Sequence, residues 1–316
     1  MVAMMQSIVL LLVGFVLLIK GADFFVEGSS SVARALRIPS MIVGLTIVAM
    51  GTSLPELAVS VTASVAGNNA LAVSNVIGSN LFNLMFVCGA CALFAPLIVQ
   101  KDTLKKEIPV SVLCAVLLFV LGISGMEIGR TDGVILLLLF IGFLVWMVRS
   151  ALKAHAASAE DPSGEYKIYP AWKCALYIVG GAVAIKFGGD FVVDGASAIA
   201  VKAGLSQNLI GLTIVAMGTS LPEFVTSVVA ARKNEVDMAF GNVIGSNIFN
   251  ILFILGVTAA ISPVAFIMEN VVDSILLVLV SILVWVFAWS RLHIEKKEGV
   301  VLLACYAGYL IYICTR

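Results

Sequence analysis

The string GLTIVAMGTSLPE occurs twice in this chain, at Gly44–Glu56 and again at Gly211–Glu223, each time inside a long apolar stretch. Thirteen identical residues are beyond what composition produces, so the chain is an internal duplication. Each copy ends in Pro-Glu, a helix breaker followed by a carboxylate, where an apolar helix readily admits neither. An ionisable side chain at bilayer depth costs about 2.5–3.5 kcal/mol on insertion scales and marks function. Two of them in matched positions point to one ion site built by a repeat.

The apolar stretches are membrane spans. Hydrophobic residues make up 61% of the 316 and charged residues only 12%, where a soluble domain carries roughly a quarter charged. Runs of about 20 apolar residues, long enough to cross a hydrocarbon core of about 30 Å as helix, recur from Ile8 to Ile313. A β-barrel would instead show alternating ten-residue segments. The expected class is therefore an all-α polytopic membrane protein with the lipid bilayer as its partner. Ile8–Phe25 reads as a retained first helix, because no basic run precedes it and no small-residue cleavage site follows. Basic and acidic residues balance at 19 each, which argues against nucleic-acid binding. Cys88 and Cys91 form a CxxC with no second pair nearby, and read as small packing residues inside a span.

Ten segments are expected, at roughly 6–32, 40–65, 71–97, 107–124, 131–149, 171–199, 206–231, 237–262, 272–290 and 299–314. The polar stretch Ser150–Pro170 divides them into 1–149 and 171–316, five segments each. GADFFVEGSS at Gly21 aligns with GGDFVVDGAS at Gly188, and NVIGSNLFN at Asn75 with NVIGSNIFN at Asn242. These matches and the headline string keep one offset of 167 residues, and at the last helix Asp132-Gly133-Val134 faces Glu298-Gly299-Val300 at an offset of 166, so the whole five-helix unit is duplicated. Five is odd, and the second copy must enter the membrane from the opposite side. With both termini outside, fourteen Lys and Arg fall on the side of linker 150–170, and only Arg130, Lys202 and Arg316 on the other. The positive-inside rule then makes the linker cytoplasmic. Inverted repeats with interrupted helices are the architecture of secondary transporters, with the site at the repeat interface.

Pro55 offers no N–H to the carbonyl of Gly51, so the helix should kink there and free carbonyls around Ala49–Gly51. Such carbonyls are tolerated at depth only where they face protein, water or an ion. Thr52, Ser53 and Glu56 add oxygens over the same turn. Ala216, Thr219, Ser220 and Glu223 repeat that arrangement. In the following segments Ser79 with Asn83, and Ser246 with Asn250, stand four residues apart and would face the kinked helix, with Gly78 and Gly245 permitting close approach. The serines and asparagines also fit a second role, as interhelical glue. These are hard oxygen donors carrying two negative charges and no imidazole or thiolate, a set that suits Ca²⁺, Na⁺ or Mg²⁺, with a dehydrating site favouring Ca²⁺ over Mg²⁺, and that disfavours zinc or copper. The only histidines, His155 and His293, lie in or beside cytoplasmic loops, which excludes an intramembrane histidine relay. Asp23 and Glu27, matched by Asp190 and Asp194, place acids at both mouths, where they concentrate cations or serve as ordinary solvated helix ends.

At these residues the chain resembles the sodium/calcium exchanger family of the calcium:cation antiporter superfamily, in its prokaryotic branch. The two GTSLPE stretches and the two GSNxxN stretches are similar to that family's paired repeats, over essentially the whole chain. The resemblance implies ten helices in two inverted five-helix halves, in a prokaryotic inner or plasma membrane. It implies exchange of external Na⁺ for cytosolic Ca²⁺ by alternating access, with both ions as cargo and no resident cofactor. Carried over by motif, Glu56 and Glu223 are the central carboxylates and Asn83 and Asn250 complete the core. Thr52, Ser53, Thr219, Ser220, Ser79 and Ser246 supply hydroxyls, and Ala49 and Ala216 backbone carbonyls. Segments 1 and 6 slide as a gate before a fixed core. Many family members carry aspartate where this chain has Asn250, so this site holds two negative charges. A Ca²⁺/H⁺ antiporter using the same carboxylates is the alternative. An intramembrane hydrolase lacks a nucleophile–base pair, and a channel would show no counterflow.

Overall fold

The computed structural model describes residues 2–66, 69–157, 168–204 and 216–315. It is a helical membrane protein. Among the described residues eight helices are long and apolar enough to span a bilayer, and one bent pair makes a ninth. The expected segment at 206–231 is described only from Ala216 onward, with a short helix Ala216–Gly218 before its main helix.

In chain order, α1 is Val2–Ala35. The bent pair is α2 (Ser40–Thr52) and α3 (Leu54–Val65), set at 47° to each other. The third span, α4, runs from Asn69 to Phe94 and contains a π-helical stretch at Phe82–Val87. Helices α5 (Lys101–Ile123) and α6 (Arg130–Ala157) complete the first half. The second half holds α7 (Ala171–Lys202), α8 (Leu221–Arg232), α9 (Val236–Ile261, π-helical at Asn250–Ile254), α10 (Met268–Arg291) and α11 (Lys296–Thr315). Helix α6 runs about two turns beyond the end expected at 149. Ser150–Ala157 is rich in good helix formers, and His155 Nδ1 lies 2.7 Å from Leu36 O, tying the helix end to the end of α1. His155 is thus in a helix, not a loop.

Four two-residue strands pair the loops. β1 (Leu97–Ile98) joins β4 (His293–Ile294), and β2 (Glu127–Ile128) joins β3 (Val264–Ala265), both antiparallel. Each pair ties a loop of the first half to one of the second.

Helices α4 and α9 are the most buried spans and form the centre; α1, α6, α7 and α11 are the least buried. The Cys88–Cys91 pair is buried in α4 with free thiols, as packing residues should be. Helices α1 and α7 lie together at the periphery and run antiparallel. Gly14 meets Gly188 and Val192, Gly21 meets Gly181 and Ile185, and Gly28 meets Cys174 and Tyr177. A Cβ on Gly188 would sit 2.7 Å from Leu18 N and 2.9 Å from Gly14 O, which is backbone and cannot yield. Close approach of this kind is what small residues provide where lipid offers no hydrophobic drive.

A Gly188→Leu substitution is therefore expected to destabilise the protein by about 1–3 kcal/mol, the usual cost of overpacking. Gly142→Leu on α6, where a Cβ meets nothing within 4 Å among the described residues, serves as control. Thermal unfolding in detergent reads both, and equal midpoints would contradict the backbone contact.

Candidate ion-binding site

The chain breaks where Pro55 and Pro222 remove a backbone donor. Ser53 (φ −84°, ψ 12°) and Ser220 (φ −95°, ψ 5°) occupy the bridge region just before α3 and α8. Each proline then lies in the first turn of the next helix, where its missing N–H costs nothing. Glu56 and Glu223 fall in the same first turns, beside unpaired N–H groups and the positive end of the helix dipole.

Both glutamates are 0% exposed, and both reach across to the other half. Ser220 Oγ donates to Glu56 Oε1 at 2.9 Å, and Ser53 Oγ donates to Glu223 Oε1 at 2.7 Å. The backbone beneath them is held in the same paired way. Asn75 Nδ2 donates to Ser60 Oγ at 3.1 Å and to Glu56 O at 3.4 Å. Asn242 Nδ2 donates to Ser227 Oγ at 2.9 Å and to Glu223 O at 3.3 Å. Each of these bonds has its counterpart 167 residues away in the other half.

Six buried oxygens of this layer have no hydrogen-bond partner among the described residues. They are Glu56 Oε2, Glu223 Oε2, Ser79 Oγ, Ser246 Oγ, Asn83 Oδ1 and Asn250 Oδ1. An unsatisfied buried polar group costs about 1–3 kcal/mol, and more when charged. Native structures avoid such groups unless a ligand or ion completes them. Six in two symmetric sets, all from residues expected to bind an ion, match in number and kind the oxygen shell of a hard cation. Thr219 Oγ1 is a seventh. Among the described residues no three His, Cys, Asp or Glu side chains converge, so the donor set has two carboxylates and otherwise neutral oxygens.

Several expected donors are placed differently. The Ala49 carbonyl is not freed by the kink: it accepts from Ser53 N at 3.1 Å, and Thr52 Oγ1 lies 3.3 Å away. The break falls at Ser53, past the carbonyls expected to open at Ala49–Gly51, because Ser53 N closes the last turn of α2. Thr52 Oγ1 also lies 3.1 Å from both Val48 O and Asn242 Oδ1, so its proton is engaged within the protein. Ala216 begins the helix Ala216–Gly218, at the edge of the described residues. Gly245 is pressed against the backbone of Leu45, so its close contact is with the other half's broken helix. A Cβ on Gly78 meets nothing within 4 Å among the described residues; its counterpart neighbour, Leu212, lies outside them.

The acids at the two mouths diverge. On α1, Asp23 and Glu27 pair with Lys233 at 3.1 and 3.7 Å, and Tyr169 donates to Glu27. On α7, Asp190 pairs with its own neighbour Lys186 at 2.5 Å, and Asp194 is exposed. The glutamate beside Tyr169 pushes its phenol up to about 12. These part-exposed pairs are worth little each. Sequence reading assigned no role to Asn75, Asn80, Asn242 and Asn247, although all four stand in the repeated NVIGSN strings.

This geometry agrees with relationship to known proteins. The family model described as sodium/calcium exchanger protein matches residues 6–149 and 173–315. The chain belongs to that family. It is 40% identical to the putative antiporter CaxA of Alkalimonas amylolytica, over 97% of this chain and 98% of that one. It is 30% identical to the sodium/calcium exchanger MaX1 of Methanosarcina acetivorans, over 97% and 98% of the two chains. The solved structure of the exchanger NCX_Mj soaked with 2.5 mM Na⁺ and 0.1 mM Sr²⁺ superposes with a TM-score of 0.85, at 35% identity and with 99% of both chains covered. The protein is thus a multi-pass cation/calcium antiporter of the exchanger type, and its relatives are transporters.

Ser53→Ala and Ser220→Ala each remove one hydrogen bond to a carboxylate, a loss of about 1.5–3 kcal/mol. Each is expected to raise by at least ~10-fold the Ca²⁺ concentration that protects the protein from thermal unfolding. The two effects should match; unchanged protection would show that neither serine orients a ligand.

Proposed function

We propose that this protein exchanges Na⁺ for Ca²⁺ across a prokaryotic inner or plasma membrane by alternating access, both ions using one site between its halves. The six unpartnered buried oxygens carry this reading. Glu56 and Glu223 would be the shared carboxylates, and Ser79, Ser246, Asn83 and Asn250 the neutral donors. Ser53 and Ser220 orient the glutamates while adding their own oxygen lone pairs, and Thr52 and Thr219 complete the rim. The carbonyls of Ala49 and Ala216 join them; Ala49 O accepts from Ser53 N and keeps a second lone pair for a cation.

The architecture we infer is ten helices in two inverted five-helix repeats, 1–149 and 171–316, joined by a cytoplasmic linker at 150–170 with both termini outside. The antiparallel packing of the matched helices α1 and α7 supports inversion. So do the loop pairings: β1 and β4 belong to loops assigned to the linker side, and β2 and β3 to loops assigned outside. In a Gln100→Cys and a Gly125→Cys variant of a cysteine-free protein, an impermeant thiol reagent should label position 125 from outside and position 100 only after permeabilisation. The reverse pattern would invert the topology.

Charge supplies the coupling. Two free carboxylates facing each other in low dielectric oppose the sliding of α1 and α7 past the core. One Ca²⁺ or two Na⁺ neutralise them, so only a loaded site crosses. Glu56→Gln or Glu223→Gln is expected to abolish Na⁺-gradient-driven uptake of radiolabelled Ca²⁺ in proteoliposomes, and near-normal uptake would refute the assignment. Imposing a pH gradient in place of the Na⁺ gradient separates this reading from Ca²⁺/H⁺ exchange. Uptake driven by protons alone would establish the latter.

A further inference from the structure

Asn80 and Asn247 stand beside the proposed ligands and bind each other across the two halves in a way that determines how Asn83 and Asn250 face. A backbone carbonyl can only accept a hydrogen bond. Asn80 reaches the carbonyl of Asn247 at 3.3 Å, so the reaching atom is its amide nitrogen, Nδ2. Its remaining atom, Oδ1, is an acceptor and lies 3.0 Å from Asn250, whose contacting atom must then be Nδ2. The terminal atom left on Asn250 is Oδ1, and that is the atom without a protein partner.

The mirror chain runs the same way. Asn247 Nδ2 donates to Asn80 O at 3.3 Å, and Asn83 Nδ2 donates to Asn247 Oδ1 at 3.2 Å, leaving Asn83 Oδ1 unpartnered. Side-chain amide orientation is read from such networks, and here each network is anchored on a main-chain oxygen that admits one solution. All four asparagines are at most 2% exposed, away from bulk water. The anchoring carbonyls precede the π-helical turns Phe82–Val87 and Asn250–Ile254, where the helical ladder lengthens and a carbonyl is available to a side chain.

We infer that Asn80 and Asn247 are positioning residues that hold the amides of Asn83 and Asn250 with oxygen toward the transported cation and nitrogen away from it. This rests on the exchanger reading of the same site. An amide turned over presents N–H donors to a cation and repels it, whereas a carboxylate has no wrong face. A site with asparagine at both 83 and 250 therefore needs an orienting partner that an aspartate would not. The lock belongs to neither half alone, because each orienting side chain hangs from the main chain of the opposite one.

The test exploits that difference. Asn80→Ala removes the side chain that orients Asn250 but keeps the Asn80 carbonyl that anchors Asn247, so only one of the two amides is released. In proteoliposomes, half-saturating Ca²⁺ is measured under a fixed Na⁺ gradient for the wild type, Asn80→Ala, Asn250→Asp and the double variant. Asn80→Ala is expected to raise half-saturation about 10–100-fold, as loss of an outer-shell partner of a metal ligand does, with a much smaller change in maximal rate. In the Asn250→Asp background the same change should move half-saturation by about 2-fold or less, the level of non-interacting sites. An equal loss in both backgrounds would mean a structural role only, and no loss in the wild-type background would mean no role; either overturns the inference while the exchange function stands. A wild-type protein that neither exchanges nor binds Ca²⁺ would overturn both readings. Where Asn80→Ala does not fold, Asn247→Ala with and without Asn83→Asp puts the same question from the other half.

Discussion

Hydrocarbon offers no water to complete a polar group, and the centre of this protein is organised around that constraint. Two carboxylates, five asparagines and several serines lie at zero or near-zero exposure where α2, α3, α4, α8 and α9 meet. Most of their polar atoms are satisfied by one another. The rest are oxygens, and nearly all belong to residues that a hard cation would recruit. The same rule that forces the donors to pair also sorts the remaining acceptors into a site.

The backbone yields locally to make this possible. Prolines end α2 and begin α3 and α8 without wasting a donor, and Ser53 and Ser220 turn the chain so that each hydroxyl meets the opposite glutamate. Two π-helical stretches interrupt α4 and α9 beside Asn83 and Asn250. Glycines press α2 onto α9, backbone to backbone, through Gly44, Gly241 and Gly245. The central helices are thereby locked together, while α1 and α7 pack on each other at the edge with much of their surface turned to lipid.

Much of this was legible in advance. Apolar run length located the spans, and the repeated strings singled out the carboxylates, the serines and the Asn83/Asn250 pair as candidates. What misled was reasoning within one helix at a time. The proline implied freed carbonyls near Ala49, yet the turn closes through Ser53 N before it breaks. Gly245 was expected to admit a neighbour, and it does, but that neighbour is Leu45 of the other half. Asn80 and Asn247 drew no assignment because an asparagine's role depends on what stands opposite it. The extra turns of α6 came from helix propensity in a stretch read only for its polarity.

The amino-acid sequence by itself determined that the chain crosses a membrane many times as helix, that it is a duplication, and that each copy brings one buried acid among neutral oxygens. Those follow from hydropathy, identity and spacing, which are local properties. Only the tertiary structure decided which oxygens are spent on hydrogen bonds and which are left for an ion. That division is made by pairs such as Ser53 with Glu223 and Asn80 with Asn250, each 170 residues apart, and it exists only once packing has placed one half against the other.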